Sequence, residues 1–176
     1  MVQHINSIEI DPEMIETQED KLRQSLLIFA AAFMTFAVML WLAIYWAMGV
    51  HFSSNVPLGY QAISVASMLH FIKTRNFAVF RFVQLSLFLF APFIMQWSMG
   101  SSVTSSGVTL WALLAPIGAL VVSTWRESIP WFFAYMVMTV LSGFFDYFLG
   151  STGSMGIPID TIGLFFAMNF AAMSSI

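Results

Sequence analysis

The chain has 176 residues, 59% of them hydrophobic and 9% charged, with a mean hydropathy of +0.84 and a formal net charge of −3. Soluble domains carry about 25% charged residues, so this chain has too little polar surface for a water-soluble fold, and its six scattered Lys and Arg exclude a nucleic-acid-binding patch. The absence of cysteine excludes disulfides, thiolate metal sites and a cysteine nucleophile.

Residues 1–24 form an acidic leader, with Glu9, Asp11, Glu13, Glu16, Glu19 and Asp20 set against Lys21 and Arg23. A secretory signal needs a basic start and a small-residue cleavage pattern; neither is present, so the first apolar run is expected to stay as an anchor. Asp11-Pro12-Glu13 is a helix-start signal, and Glu19 with Arg23 makes a supportive pair four residues apart. A short cytoplasmic helix is therefore expected from about Pro12.

Six apolar stretches follow within residues 25–176, at about 25–48, 57–72, 77–99, 107–122, 129–149 and 159–176. A spanning helix needs about 20 apolar residues, so the second, fourth and sixth are on the short side. Pro92 and Pro116 lie inside the third and fourth stretches and predict a kink in each. Pro130 opens the fifth and suits a first helical turn. The connections fix the orientation. Lys21, Arg23, Lys73, Arg75, Arg81 and Arg126 all fall on the N-terminal side of a six-span arrangement, and none falls on the other side. Lys and Arg concentrate in cytoplasmic loops. The fold class expected is therefore all-α: a polytopic membrane protein with six transmembrane helices and both termini cytoplasmic.

Chemistry is sparse within these stretches. Ionisable groups in a membrane are expensive and therefore usually functional. Here Arg81 and Asp146 both lie near span ends, as candidates for interhelical or interfacial charge. His4, His51 and His70 share no depth, which argues against a bis-histidine haem. The glycine-rich stretch 150–156 lacks the Lys-Ser/Thr ending of a phosphate loop. No catalytic, cofactor-binding or metal-binding residue is assigned. Gln61, Gln84, Gln96 and Asn169 are polar groups of the kind that hold helices together. Binding of a small lipid or quinone-like ligand by Gln84 or Asn169 is the minority reading. Gly163, Ala167 and Ala171 recur every four residues in the sixth stretch and form a small-residue stripe suited to close helix approach. Packing within the chain is the simpler account of that stripe, and a dimer seam is the other. Trp41, Trp46, Trp97, Trp125, Trp131 and Tyr147 sit where interfacial belts are expected.

Several runs occur together in order. They are Arg81-Phe82-Val83-Gln84, Pro92-Phe93-Ile94-Met95-Gln96-Trp97, LWALLAPIGAL at 110–120, Trp131-Phe132-Phe133-Ala134-Tyr135, and Leu141-Ser142-Gly143 followed by Asp146. This set resembles the N-terminal six-helix membrane domain of bacterial class III adenylate/guanylate cyclases, over roughly residues 20–175. The resemblance implies a membrane anchor, sensor and dimerisation module in a bacterial inner membrane. In such a parent the sixth helix continues into a cytoplasmic catalytic domain that converts ATP to cyclic AMP with a divalent metal, as a homodimer. No cyclase catalytic residue has a counterpart in this chain, so the chemistry would lie beyond Ile176; if Ile176 is a natural end, the chain is a catalytically silent relative. The alternative is a non-enzymatic transmembrane accessory subunit of a larger photosynthetic or respiratory complex. The lipid bilayer is a partner on either reading.

Overall fold

A computed structural model describes residues 12–47, 55–148 and 159–174. The leader before Pro12, His51 and the 150–156 stretch lie outside the described residues. Among the described residues the fold is all-α. Helix α1 spans Pro12–Ala47, α2 Val56–Thr74 and α3 Phe77–Met99; a 3-10 helix, Val108–Leu113, runs directly into α4, Leu114–Val122; α5 spans Trp125–Phe148 and α6 Ile159–Ser174. Three segments are long and apolar enough to cross a membrane: Gln18–Ile44 within α1, all of α3, and all of α5. Helix α2 is long enough but less apolar, since it carries Gln61, Ser64, Ser67 and His70. The 3-10–α4 unit and α6 are shorter.

Helix α3 is the axis of the bundle. It packs against α1, α2, the 3-10 helix, α4 and α5, and Phe80, Leu85, Phe88, Leu89 and Phe93 on it are fully buried. Outward faces are also apolar: Phe29 and Phe36 on α1 and Phe132, Phe133, Val140 and Phe144 on α5 are exposed. An apolar exterior of this extent is unstable against water and suits lipid.

Pairwise contacts fix the directions of the helices. Thr35 of α1 lies by Gln61 and Ser64 of α2, and Trp41 shares a cleft with Pro57 and Tyr60, so α1 and α2 are antiparallel. Phe71 of α2 stacks on Phe80 of α3 at 5.0 Å, while Ser67 meets Gln84, so that pair is antiparallel too. Their connection is tight. Arg75 takes a left-handed conformation and its N–H reaches Phe71 O at 2.8 Å; Asn76 then caps α3 by accepting from Val79 N. Helices α3 and α5 run parallel, with Phe82 against Trp131 and Trp97 against Phe145. These directions place Lys21, Arg23, Lys73, Arg75, Arg81 and Arg126 at one end of the bundle.

Two prolines act differently from their sequence expectation. Pro116 does not kink a continuous fourth helix; it is the third residue of α4, where the chain changes from 3-10 to α geometry. A missing N–H costs little in a first α-turn, whose N–H groups have no partner within that α-helix. Pro130 does not open α5, which begins five residues earlier at Trp125. Thr124 O accepts from both Glu127 N and Ser128 N and starts the helix before the proline is reached.

Candidate functional site

Among the described residues, polar groups of the helices gather into four joints, and an apolar cleft lies beside them. At the basic end, Arg81 pairs with Glu127 at 3.0 Å and donates to Val122 O at 3.3 Å. It thus binds an open carbonyl at the C-terminus of α4, where helix geometry favours a cation. Glu127 and the Val122 carbonyl, its two partners here, were not singled out in the sequence.

At the opposite end, Asp146 accepts from Gln96 Nε2 at 3.1 Å, from the backbone N–H of Ser102 at 3.1 Å, and from the Ser102 hydroxyl. These partners belong to α3 and the turn after it, so Asp146 makes interhelical contacts and does not cap the end of its own helix. It joins α5 to α3 and holds the turn that leaves α3. That turn, 100–107, is also tied internally, with Thr104 Oγ1 donating to Met99 O. Gly100, Ser106 and Gly107 all take positive φ.

The third joint is at Asn169 of α6, which is buried. Its Nδ2 donates to Ser106 O at 2.9 Å and its Oδ1 accepts from Trp111 Nε1 at 3.1 Å. Both capacities of the amide are used to fasten α6 to the 3-10 helix. The fourth joint is at Gln84, which is fully buried and donates to Ser67 Oγ at 2.7 Å, with longer contacts to Ser64. Gln61 donates to Thr35 O at 2.9 Å and extends the joint to α1. Gln84 and Asn169 therefore do not converge on one site; they serve separate interfaces.

The small-residue stripe lies elsewhere. Helix α6 docks through Phe165 and Asn169, which are buried. Gly163, Ala167 and Ala171 are each two positions from that docking row, about 200° around the helix, and all three are exposed. A Cβ built on Gly163 meets nothing within 4 Å.

The cleft lies among α1, α2, α3 and the 3-10 helix, with Asn169 of α6 also lining it; its volume is about 90 Å³ and it is partly open. Trp41, Tyr60 and Trp111 face it with Met34 and Met95. Trp41, read from the sequence as a belt residue, instead packs edge-on against Phe165 at 5.9 Å. Trp46, Trp125 and Tyr147 do lie exposed near helix ends, whereas Trp97 and Trp131 pack inward on Phe145 and Phe82. The Tyr60 hydroxyl is buried without a hydrogen bond of normal geometry, although Ser64 sits close to it one turn along. Nothing in the sequence singled out Tyr60, because a tyrosine in an apolar run reads as core.

Among the described residues, no three His, Asp or Glu lie together as a metal cluster. The fold and its joints define a helical membrane protein whose polar groups mostly fasten helices to one another. No protein-family model, no curated protein and no solved structure matches this chain.

Proposed function

We propose that this chain is the membrane anchor, sensor and dimerisation module of a class III nucleotide cyclase, crossing the membrane six times with both ends in the cytoplasm. The observation that carries this reading is where the resembling segments fall. The run at 110–120 lies within the 3-10–α4 unit that packs on α3, with Ala112, Ala115 and Ala119 fully buried and Ile117 and Leu120 exposed. The segment ending at Asp146 supplies the carboxylate that holds the turn leading into that unit. Part of the likeness thus falls on residues that this packing uses, while Phe82, Phe132 and Phe133 face outward.

Helix lengths support six crossings. At 1.5 Å per α-residue, α2 is about 28 Å long and α6 about 24 Å. The 3-10 segment rises about 2.0 Å per residue, which stretches the fourth unit to about 25 Å. A hydrocarbon core is about 30 Å thick, so each of the three comes close to spanning it. Six basic residues at one end of the bundle support a cytoplasmic placement of that end.

The test uses protein taken from its native membranes. Intact mass well above 19.7 kDa, with cyclic AMP formed from ATP and Mg²⁺, is the expected result. A mass of 19.7 kDa with no cyclic nucleotide formed overturns the cyclase reading. Stoichiometric co-purification with other membrane subunits would replace it with the accessory-subunit reading.

A further inference from the structure

We infer that the basic end of the bundle holds a phospholipid with an anionic headgroup, seated between the α2–α3 turn and the α4–α5 turn. This rests on the membrane character of the chain and stands apart from whether a catalytic domain follows the bundle. The two turns lie side by side, because Arg81 of α3 reaches both Glu127 at 3.0 Å and the Val122 carbonyl at 3.3 Å. Segments 73–81 and 123–127 carry four cations, Lys73, Arg75, Arg81 and Arg126, and one carboxylate, Glu127. That carboxylate is taken by Arg81. Among the described residues, the side chains of Lys73 and Arg75 are exposed and have no acidic partner, and Arg126 rests over the exposed ring of Trp125 at 5.5 Å. The cations on α1 differ: Arg23 pairs with Glu19 at 3.7 Å, and Lys21 directly follows Asp20. Uncompensated positive charge is thus concentrated at the two turns.

Arg75 sharpens the point. It closes α2 with φ of 55°, a left-handed conformation in which glycine is usual and a longer side chain is strained. The bond from its N–H to Phe71 O at 2.8 Å is a backbone bond that glycine would make equally well. The arginine side chain adds strain and no bond within the described residues. What it offers is outward: a planar guanidinium fork that matches phosphate oxygens. The surroundings make the occupant a lipid rather than a free anion. Phe82 on α3 and Ile129 and Phe132 on α5 are exposed one to two turns beyond the basic residues, and Phe82 lies against Trp131 at 5.8 Å, where α3 and α5 meet. A phosphate at the turns leaves its acyl chains along this apolar surface, with Trp125 at the headgroup level, where tryptophan is enriched. Net negative charge is also required. A choline headgroup brings its own cation, which the surrounding basic residues oppose, whereas a glycerol headgroup leaves the phosphate charge uncompensated.

The test is a titration of the full chain in detergent with dioleoylphosphatidylglycerol or dioleoylphosphatidylcholine, read as bound lipid by native mass spectrometry and as the melting temperature. Inorganic phosphate is the competitor. Wild type should bind phosphatidylglycerol saturably and about tenfold more tightly than phosphatidylcholine, with a rise in Tm and no displacement by phosphate. Arg75→Gly should bind phosphatidylglycerol about fivefold more weakly, the worth of one basic residue at a membrane surface. Its lipid-free Tm should nevertheless equal or exceed that of wild type, because the left-handed strain is relieved. Arg126→Gln should weaken binding by a similar factor. Arg23→Gln, at the same end but paired on α1, should leave binding unchanged. Equal binding of the two lipids, displacement by phosphate, or unchanged binding in both Arg75→Gly and Arg126→Gln would each overturn the assignment. An equal loss in Arg23→Gln would overturn it too, since it would show diffuse attraction to the whole basic end in place of a seat between the turns.

Discussion

Asp146 carries more of the connection between elements than any other carboxylate among the described residues. Its acceptor oxygens serve donors from α3 and from the turn after it, so truncation strands Gln96 Nε2 and the Ser102 N–H together. Hydrogen bonds to a charged group contribute about 1.5–3 kcal/mol each but are not additive. Asp146→Ala should therefore lower stability by about 2–4 kcal/mol, seen as a fall in Tm by circular dichroism in detergent. Asp146→Asn keeps an acceptor for Ser102 while turning an amide N–H₂ toward other donors, so it should fall between the two. An Ala variant that melts with wild type would mean the contacts are not made in the membrane-solubilised protein. Asn169→Leu removes both fastenings of α6 in one step. Interhelical hydrogen bonds in membranes average about 0.6–1 kcal/mol, so a loss of about 1–2 kcal/mol is expected, with trypsin or hydrogen-exchange protection falling first on α6. Asp146, Gln84 and Asn169 were legible in the sequence because a polar residue in an apolar run stands out. Their partners were not, since Ser102, Ser67 and the Ser106 carbonyl are ordinary until the fold brings them 17 to 63 residues back.

The fourth apolar stretch shows why element type is harder to read than element presence. Its apolar run and its Pro116 were plain, but the division into a 3-10 helix followed by α4 depends on packing against α3 and α6. Ser106 and Gly107, with φ of 55° and 68°, reverse the chain so that Val108 can start that unit. Only glycine takes such values without strain, and a side chain there costs about 1–2 kcal/mol. Gly107 faces a second obstacle, because an added Cβ would lie 2.9 Å from the ring of Phe166. Phe166 is half exposed and its ring can swing aside, so the backbone contributes most of the cost. Gly107→Ala should destabilise by about 1–2 kcal/mol and loosen α6 by displacing that ring. Gly59→Ala, whose Cβ meets nothing within 4 Å, should by contrast be neutral or slightly stabilising, as alanine is the better helix former. Thermal unfolding of the two variants side by side checks the contrast.

For the whole molecule, the all-helical membrane character was written in composition, and the common end of the basic residues was written in their spacing. The number of crossings was not, because α2, the 3-10–α4 unit and α6 fall short on apolarity or length taken singly. What makes them plausible spans is collective: they lie against α1 or α3, each of which carries a segment long and apolar enough to cross by itself, or against the 3-10 helix beside α3. The same view bears on self-association. Gly163 and Ala167 of the α6 stripe are exposed and lie on the side of that helix away from the row through which it docks. Under the proposed homodimer that side is the surface where a second copy's helix can approach closely. Gly163→Leu separates the two roles by sign. With open space around its Cβ and the better helix propensity of leucine, by about 0.8 kcal/mol, the isolated chain should be no less stable than wild type. The bulky side chain should nevertheless block close approach and shift the protein toward monomer, and Ala167→Leu should do the same. Light scattering on detergent-solubilised protein, paired with melting curves on the same samples, reads both quantities. Dimer loss with Tm retained supports the seam; an unchanged dimer shows that two copies meet elsewhere, and a fall in Tm shows that α6 packs its stripe inward after all.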